Sequence, residues 1–209
     1  MEFARRLLIE KAGINKVIMY LTLSDVFTWG VYVIVSAFTG LYLQTKLQMD
    51  VVEIVGIGAA CFYIARVLFQ IPIGLISDSL KRDRDEIVFL MLGNLLMGLP
   101  LLLYSNIDTP VYFYILQFFI GIGASMNLVN WRKLFAANLE DGKSGSAYAV
   151  YDTIISLSIA IVGILGGQIA SLGESSFNLV IAMTGVVMIL SATWPALIFL
   201  ASRKSASSL

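Results

Sequence analysis

Six long apolar runs, separated by short polar stretches, take up most of this 209-residue chain. They are roughly Val17–Leu43, Val51–Ile76, Ile87–Tyr104, Val111–Phe135, Tyr148–Ala170 and Phe177–Leu200. About 20 apolar residues in a helix cross the ~30 Å hydrocarbon core of a bilayer, and longer runs cross with tilt. Inside lipid every backbone donor must be paired, which leaves helices or closed barrels. Barrel strands alternate apolar and polar residues over about 10 positions, and these runs do not alternate. The sequence predicts an all-α integral membrane protein of six transmembrane helices. It forms one domain, 1–209, with a short N-terminal segment at 1–16 and a polar tail at 201–209.

Composition agrees. The chain is 58% hydrophobic and 13% charged, where a soluble domain carries about 25% charged residues. Lysine and arginine together balance aspartate and glutamate at 14 each, which offers no footprint for nucleic acid. There is no histidine. That removes Ser-His nucleophile pairs, His-ligated metals and His proton relays together. The lone Cys61 lies in an apolar run, so neither an intrachain disulfide nor a thiolate metal site is expected. No cofactor or metal is expected, and the chain does not read as an enzyme. The first apolar run is too long for a signal peptide and lacks a small-residue cleavage site.

Orientation follows from the basic residues. With the N-terminus inside, the inner segments hold Arg5, Arg6, Lys11, Lys16, Lys81, Arg82, Arg84, Arg132, Lys133, Lys143, Arg203 and Lys204. The outer loops hold Lys46, and Arg66 falls within a span. This partition predicts a multi-pass protein of the cell (inner or plasma) membrane with both termini cytoplasmic. The same pattern and the polar end "SRKSASSL" are what a finished chain would show.

The inner loop after the second run reads "GLISDSLKRDRDE". Seven of its nine residues from Asp78 to Glu86 are charged. Lys81, Arg82 and Arg84 anchor the loop inside, as in any basic loop. Asp78 is not explained that way, because acidic residues contribute little to topology.

These residues resemble the signature of the major facilitator superfamily (MFS), a loop between helices two and three. Its pattern runs Gly, any residue, a Leu-like residue, Ser or Ala, Asp, a basic residue, any residue, Gly, then two basic residues. Gly74, Leu75, Ile76, Ser77, Asp78 and Arg82 fit; Ser79, Lys81 and Asp83 depart from it. In helix four "LQFFIGIGAS" is similar to the family's Arg-x-x-Gln-Gly-x-Gly, with Gly121 and Gly123 in place and Gln117 where the arginine would be. In helix five "VGILGGQIA" is similar to Gly-Pro-x-x-Gly-Gly, with Gly166 and Gly167 in place and Gly163 at the proline. "TLSDVFTWGVYVIVSAFTGLYLQ" looks like a first helix of the drug-and-sugar-type members.

The resemblance implies a half-size member: one six-helix half, built as a 3+3 inverted repeat, of an architecture that normally has two halves with substrate between them at mid-depth. It implies secondary-active transport of a small solute by alternating access, with a proton as a candidate coupling ion. A half alone would expose cavity-lining polar groups to lipid at a cost. With both ends inside, a parallel two-fold homodimer restores two halves, and such dimers are the commonest oligomers. By resemblance, helix two of one copy meets helix five of the other. The other reading of the chain is a non-transporting accessory or heterodimer subunit of a membrane complex. An intramembrane enzyme or a channel has no supporting motif.

The candidate solute and coupling-ion residues are Asp25, Arg66, Gln117, Asn127 and Trp29. Asp25 lies about 12 Å and Arg66 about 15 Å from the inner ends of their helices, at 1.5 Å per residue. Sharing a depth, they are expected to face protein or a watery cavity and to interact. A permanent tight pair would argue against proton coupling. Gln117 and Asn127 are polar at membrane depth on helix four; each alone reads more simply as an interhelical hydrogen bond. Trp131 and Trp194 suit the interfacial aromatic belt. The resemblance implies a gate of Gly74, Ser77, Asp78, Arg82, Arg132 and Asp152, in which Asp78 faces the start of the partner's helix five. Ser156, Ala160, Gly163, Gly166 and Gly167 recur at small-residue spacing on helix five. They serve either packing within the bundle or the dimer seam.

Overall fold

A computed structural model describes residues 14–48, 50–79 and 83–206, with side chains described outside 83, 84, 174 and 200–206. Its described residues form α1 (Lys16–Leu47), α2 (Val52–Ser79), α3 (Asp83–Leu102), α4 (Pro110–Ala137), α5 (Ser144–Ala170), α6 (Glu174–Ser191) and α7 (Thr193–Ala206). A short 3₁₀ turn, Tyr104–Asn106, follows α3. Among the described residues six segments are long and apolar enough to cross a membrane, and each overlaps one of the six apolar runs. The chain is a multi-pass membrane protein.

Local chemistry explains the boundaries. The Asn15 side chain accepts from Ile18 N–H at 2.9 Å and so caps α1. That helix ends where Gln48 turns left-handed at φ 52°, its N–H returning to Gln44 O. Thr109 caps α4 ahead of Pro110, a residue that loses nothing in a first helical turn. Gly142 and Gly173, at φ 76° and 136°, make the turns before α5 and α6. The sixth crossing, Ser175–Phe199, is broken at Ala192 into α6 and α7, where the apolar run suggested one helix. Pro195 supplies the reason: it has no N–H for the Ser191 carbonyl, one helical turn back.

The bundle is uneven. α3 lies against α4, α6 and α7, and α1 lies against α5, α6 and α7, while α2 packs chiefly on α4. Bare backbones set the tightest crossings. A Cβ at Gly93 would stand 2.7 Å from Asn127 N, and one at Gly98 2.7 Å from Gly185 O. These glycines bring α3 against α4 and α6 closer than any side chain allows. Only 6% of the α5 span and 22% of the α2 span is buried, against 44–50% for the other four. The two outermost helices are therefore the second and the fifth.

One apolar cluster includes Tyr42, Tyr104, Phe113 and Phe177. A second gathers Ile18, Leu21, Leu90, Trp131 and Phe135 at the end where α1 begins. Buried Ser24, Asp25 and Thr28 of α1, Asn94 of α3 and Asn127 of α4 fall between them along the helices.

Candidate functional site

The mid-depth polar residues are tied together across helices. Trp29 Nε1 on α1 donates to Asn127 Oδ1 on α4 at 2.8 Å. Asn127 Nδ2 donates to Asn94 Oδ1 on α3 at 2.6 Å, and Asn94 Nδ2 donates to Ser24 Oγ on α1 at 3.1 Å. Thr28 and Ser191 share a hydroxyl–hydroxyl bond at 2.7 Å between α1 and α6. Ser24, Asn94 and Asn127 are fully buried. In this arrangement Trp29 and Asn127 satisfy each other and hold helices in register. Asn94, which apolar patterning did not single out, is the central link.

Asp25 is buried, and its Oδ2 accepts a hydrogen bond from the Tyr151 hydroxyl of α5 at 2.8 Å. Its other oxygen, Oδ1, is buried without a hydrogen-bond partner. The Tyr151 ring packs on Trp131 with centroids 4.6 Å apart. Trp131 is itself buried and donates to Leu21 O at 3.2 Å, so it is a core residue and not part of an interfacial belt. Tyr151, like Asn94, is a residue that the sequence reading missed. It sits one position before Asp152, which is exposed.

Arg66 does not pair with Asp25. Its Nη2 reaches Gln70 Oε1, one turn along α2, at 3.4 Å. Its guanidinium lies 5.7 and 5.6 Å from the centroids of Phe62 and Tyr63. A shared depth does not make two side chains neighbours: α1 and α2 barely touch, and Asp25 faces α5. Gln117 Nε2 donates to the Tyr104 hydroxyl at 3.2 Å, leaving Oε1 buried and unpartnered. Gln117 lines a cavity of about 180 Å³ between α1, α2 and α4, together with Tyr32, Ser36, Phe62, Tyr63 and Phe113.

The inner end of α2 carries a charged hub. Lys133 Nζ lies 3.1 Å from Asp78 Oδ1 and 2.8 Å from Glu86 Oε1, and it donates to Ser77 O at 2.8 Å. Ser77 Oγ donates to Asn130 Oδ1 at 2.8 Å. Gly74 lies on the same stretch facing Val129. Among the described residues the cation that holds Asp78 is thus Lys133 of the same chain, and Arg132 does not take that place. Arg132 and Asp152 are exposed and form no ion pair among the described residues; Arg82 lies outside those residues. The physical reason is helical phase. Lys133 follows Arg132 by about 100° around α4, which turns it from the exposed side to the α2–α3 side.

The small residues of α5 separate into two groups. A Cβ at Gly166 would meet Ile34 Cδ1 at 2.7 Å, and one at Gly167 would meet Phe38 at 3.4 Å, so both pack on α1. Ser156 and Ala160 are exposed, and a Cβ at Gly163 would meet nothing within 4 Å.

The family profile of the Major Facilitator Superfamily matches residues 21–208. The chain belongs to the Major Facilitator Superfamily. A 138-residue stretch, 66% of the chain, is 26% identical to an uncharacterized MFS-type transporter of Methanocaldococcus jannaschii. That stretch covers 34% of the relative, so the chain spans about a third of the curated relative it matches. No solved structure matches the chain. As a superfamily member with six apolar crossings, it fits a half-size unit of the kind that its loop and glycine motifs resemble.

Proposed function

We propose that this chain is half of a secondary-active transporter, which moves a small solute by alternating access after pairing with a second, parallel copy. The supporting observation is the unequal covering of its helices. α5 and α2 are 6% and 22% buried, and they are the two helices that the resemblance assigns to the contact between halves. The open side of α5 at Ser156, Ala160 and Gly163 lets another backbone approach. The match to about a third of a longer relative agrees with a chain that needs more protein to complete it. Two chains related by two-fold symmetry would put α2 of one beside α5 of the other.

Asp25 is the candidate coupling group in this reading. It is buried, has no cation partner among the described residues, and is bonded through Tyr151 to the very helix that would move against the partner. The Lys133 hub is the candidate inner gate. Asp78 is 72% exposed and Glu86 only 9%, so the Asp78 arm is the one that can release while the Glu86 arm stays.

The test is uptake by purified protein in liposomes across a panel of solutes, with and without a pH gradient. Saturable, gradient-dependent uptake of at least one solute is expected. Asp25→Asn should abolish the gradient dependence. A protein that binds other membrane proteins and moves no solute would be the accessory subunit instead.

A further inference from the structure

Arg66 sits 14 residues after Val52 and 13 before Ser79, at the middle of α2. A cation at that depth is costly unless something balances it. Among the described residues no carboxylate lies within ion-pairing distance of it. Its contacts are a long hydrogen bond to Gln70 and two aromatic faces, and its Nε is buried without a partner. Phe62 and Tyr63, the rings beneath the guanidinium, also line the 180 Å³ cavity. Gln117, 7% exposed, lines the same cavity with Oε1 lacking a partner. Ser36 and Tyr63, which also line it, are exposed.

We propose that this cavity is an anion-recognition site, with Arg66, whose guanidinium packs on the lining rings of Phe62 and Tyr63, as the charge partner of a small organic carboxylate that also carries a hydroxyl or N–H donor. The carboxylate supplies the counter-charge that α2 lacks; guanidinium pairs with carboxylate through two parallel bonds. The free Gln117 oxygen accepts from the ligand's donor group. Phe62, Phe113 and Tyr63 cover its apolar part. A pocket of this size takes a ligand about as large as a single ring with one or two substituents, below the usual drug-sized range. The inference rests on the transporter reading, for which it names a substrate class.

Mandelate carries a carboxylate, a hydroxyl and one ring; mandelamide has the same shape without the charge. Purified full-length protein is titrated with each at constant ionic strength while its unfolding temperature is followed. Saturable stabilisation by mandelate, and at least tenfold weaker binding of mandelamide, are expected. Arg66→Gln should weaken mandelate at least tenfold, and Arg66→Lys should retain part of the affinity. Gln117→Glu, which adds a like charge to the cavity wall, should also weaken it tenfold. Equal binding of mandelate and mandelamide, or unchanged mandelate binding by Arg66→Gln, overturns the site, as does no binding of mandelate at all. If neither variant folds, the comparison of the two ligands on the wild type decides. Uptake of neutral or cationic solutes by wild type and Arg66→Gln alike overturns the site and leaves the transporter reading standing. Mandelate binding by a protein that moves no solute supports the site and overturns that reading.

Discussion

Lys133 holds two carboxylates and a carbonyl at once, and those arms differ in kind. Glu86 is buried, so Lys133→Met strands a charge in the bundle. Asp78 is exposed, so Asp78→Asn removes an attraction largely screened by water. Lys133→Met should therefore destabilise the protein by more than Asp78→Asn. The double substitution Lys133→Met with Glu86→Gln should recover most of the loss, because it removes the stranded charge. Reversible unfolding in mixed detergent measures all three. In the buried polar band, Asn127→Leu leaves the Trp29 indole and the Asn94 carbonyl unpaired. A cost of about 0.6–2 kcal/mol is expected by the same measurement, small because the unfolded chain in a membrane also finds partners. A cost near zero would show that the band does not tie the helices.

At the scale of elements, two kinds of glycine make opposite predictions. Gly98→Ala drives a methyl into the Gly185 carbonyl, so α3 and α6 must part, and folded yield and stability should both fall. A Cβ at Gly163 meets nothing within 4 Å, so with Gly163→Leu the monomer should fold as before while self-association weakens at least tenfold. Quantitative crosslinking in membranes checks the second outcome. This difference also shows what was legible in the sequence. Hydropathy alone located all six crossings, since about 20 apolar residues leave the backbone few choices. Small-residue spacing on α5 marked a close approach but not its partner. Gly166 and Gly167 turn to α1, while Gly163 turns away from the bundle. Spacing along one helix carries no information about which neighbour stands opposite. The same limit separated Asp25 from Arg66: depth is read along a helix, whereas contact depends on rotation about it. It also hid Lys133 behind Arg132, and Tyr151 behind Asp152, each one residue off the expected face. Asn94 was hidden differently, as a single amide inside an apolar run. Only its bonds to α1 and α4 show that it is a hub.

At the scale of the molecule, the account depends on the two bare helices. Four spans are nearly half buried within one chain, and α2 and α5 are not. Lipid alone can cover the apolar residues of those faces, but it would not complete a cavity between two halves. If a second copy completes it, then uptake requires two chains in one vesicle. Asp25→Asn in one chain of a tandem fusion should lower gradient-driven uptake by about half or more, and in both chains should abolish it. The most direct test of the central claim is subunit counting by single-molecule photobleaching, in proteoliposomes dilute enough to hold one functional unit each. The account predicts two bleaching steps in vesicles that take up solute. Single-step bleaching in vesicles that still take up solute would contradict it.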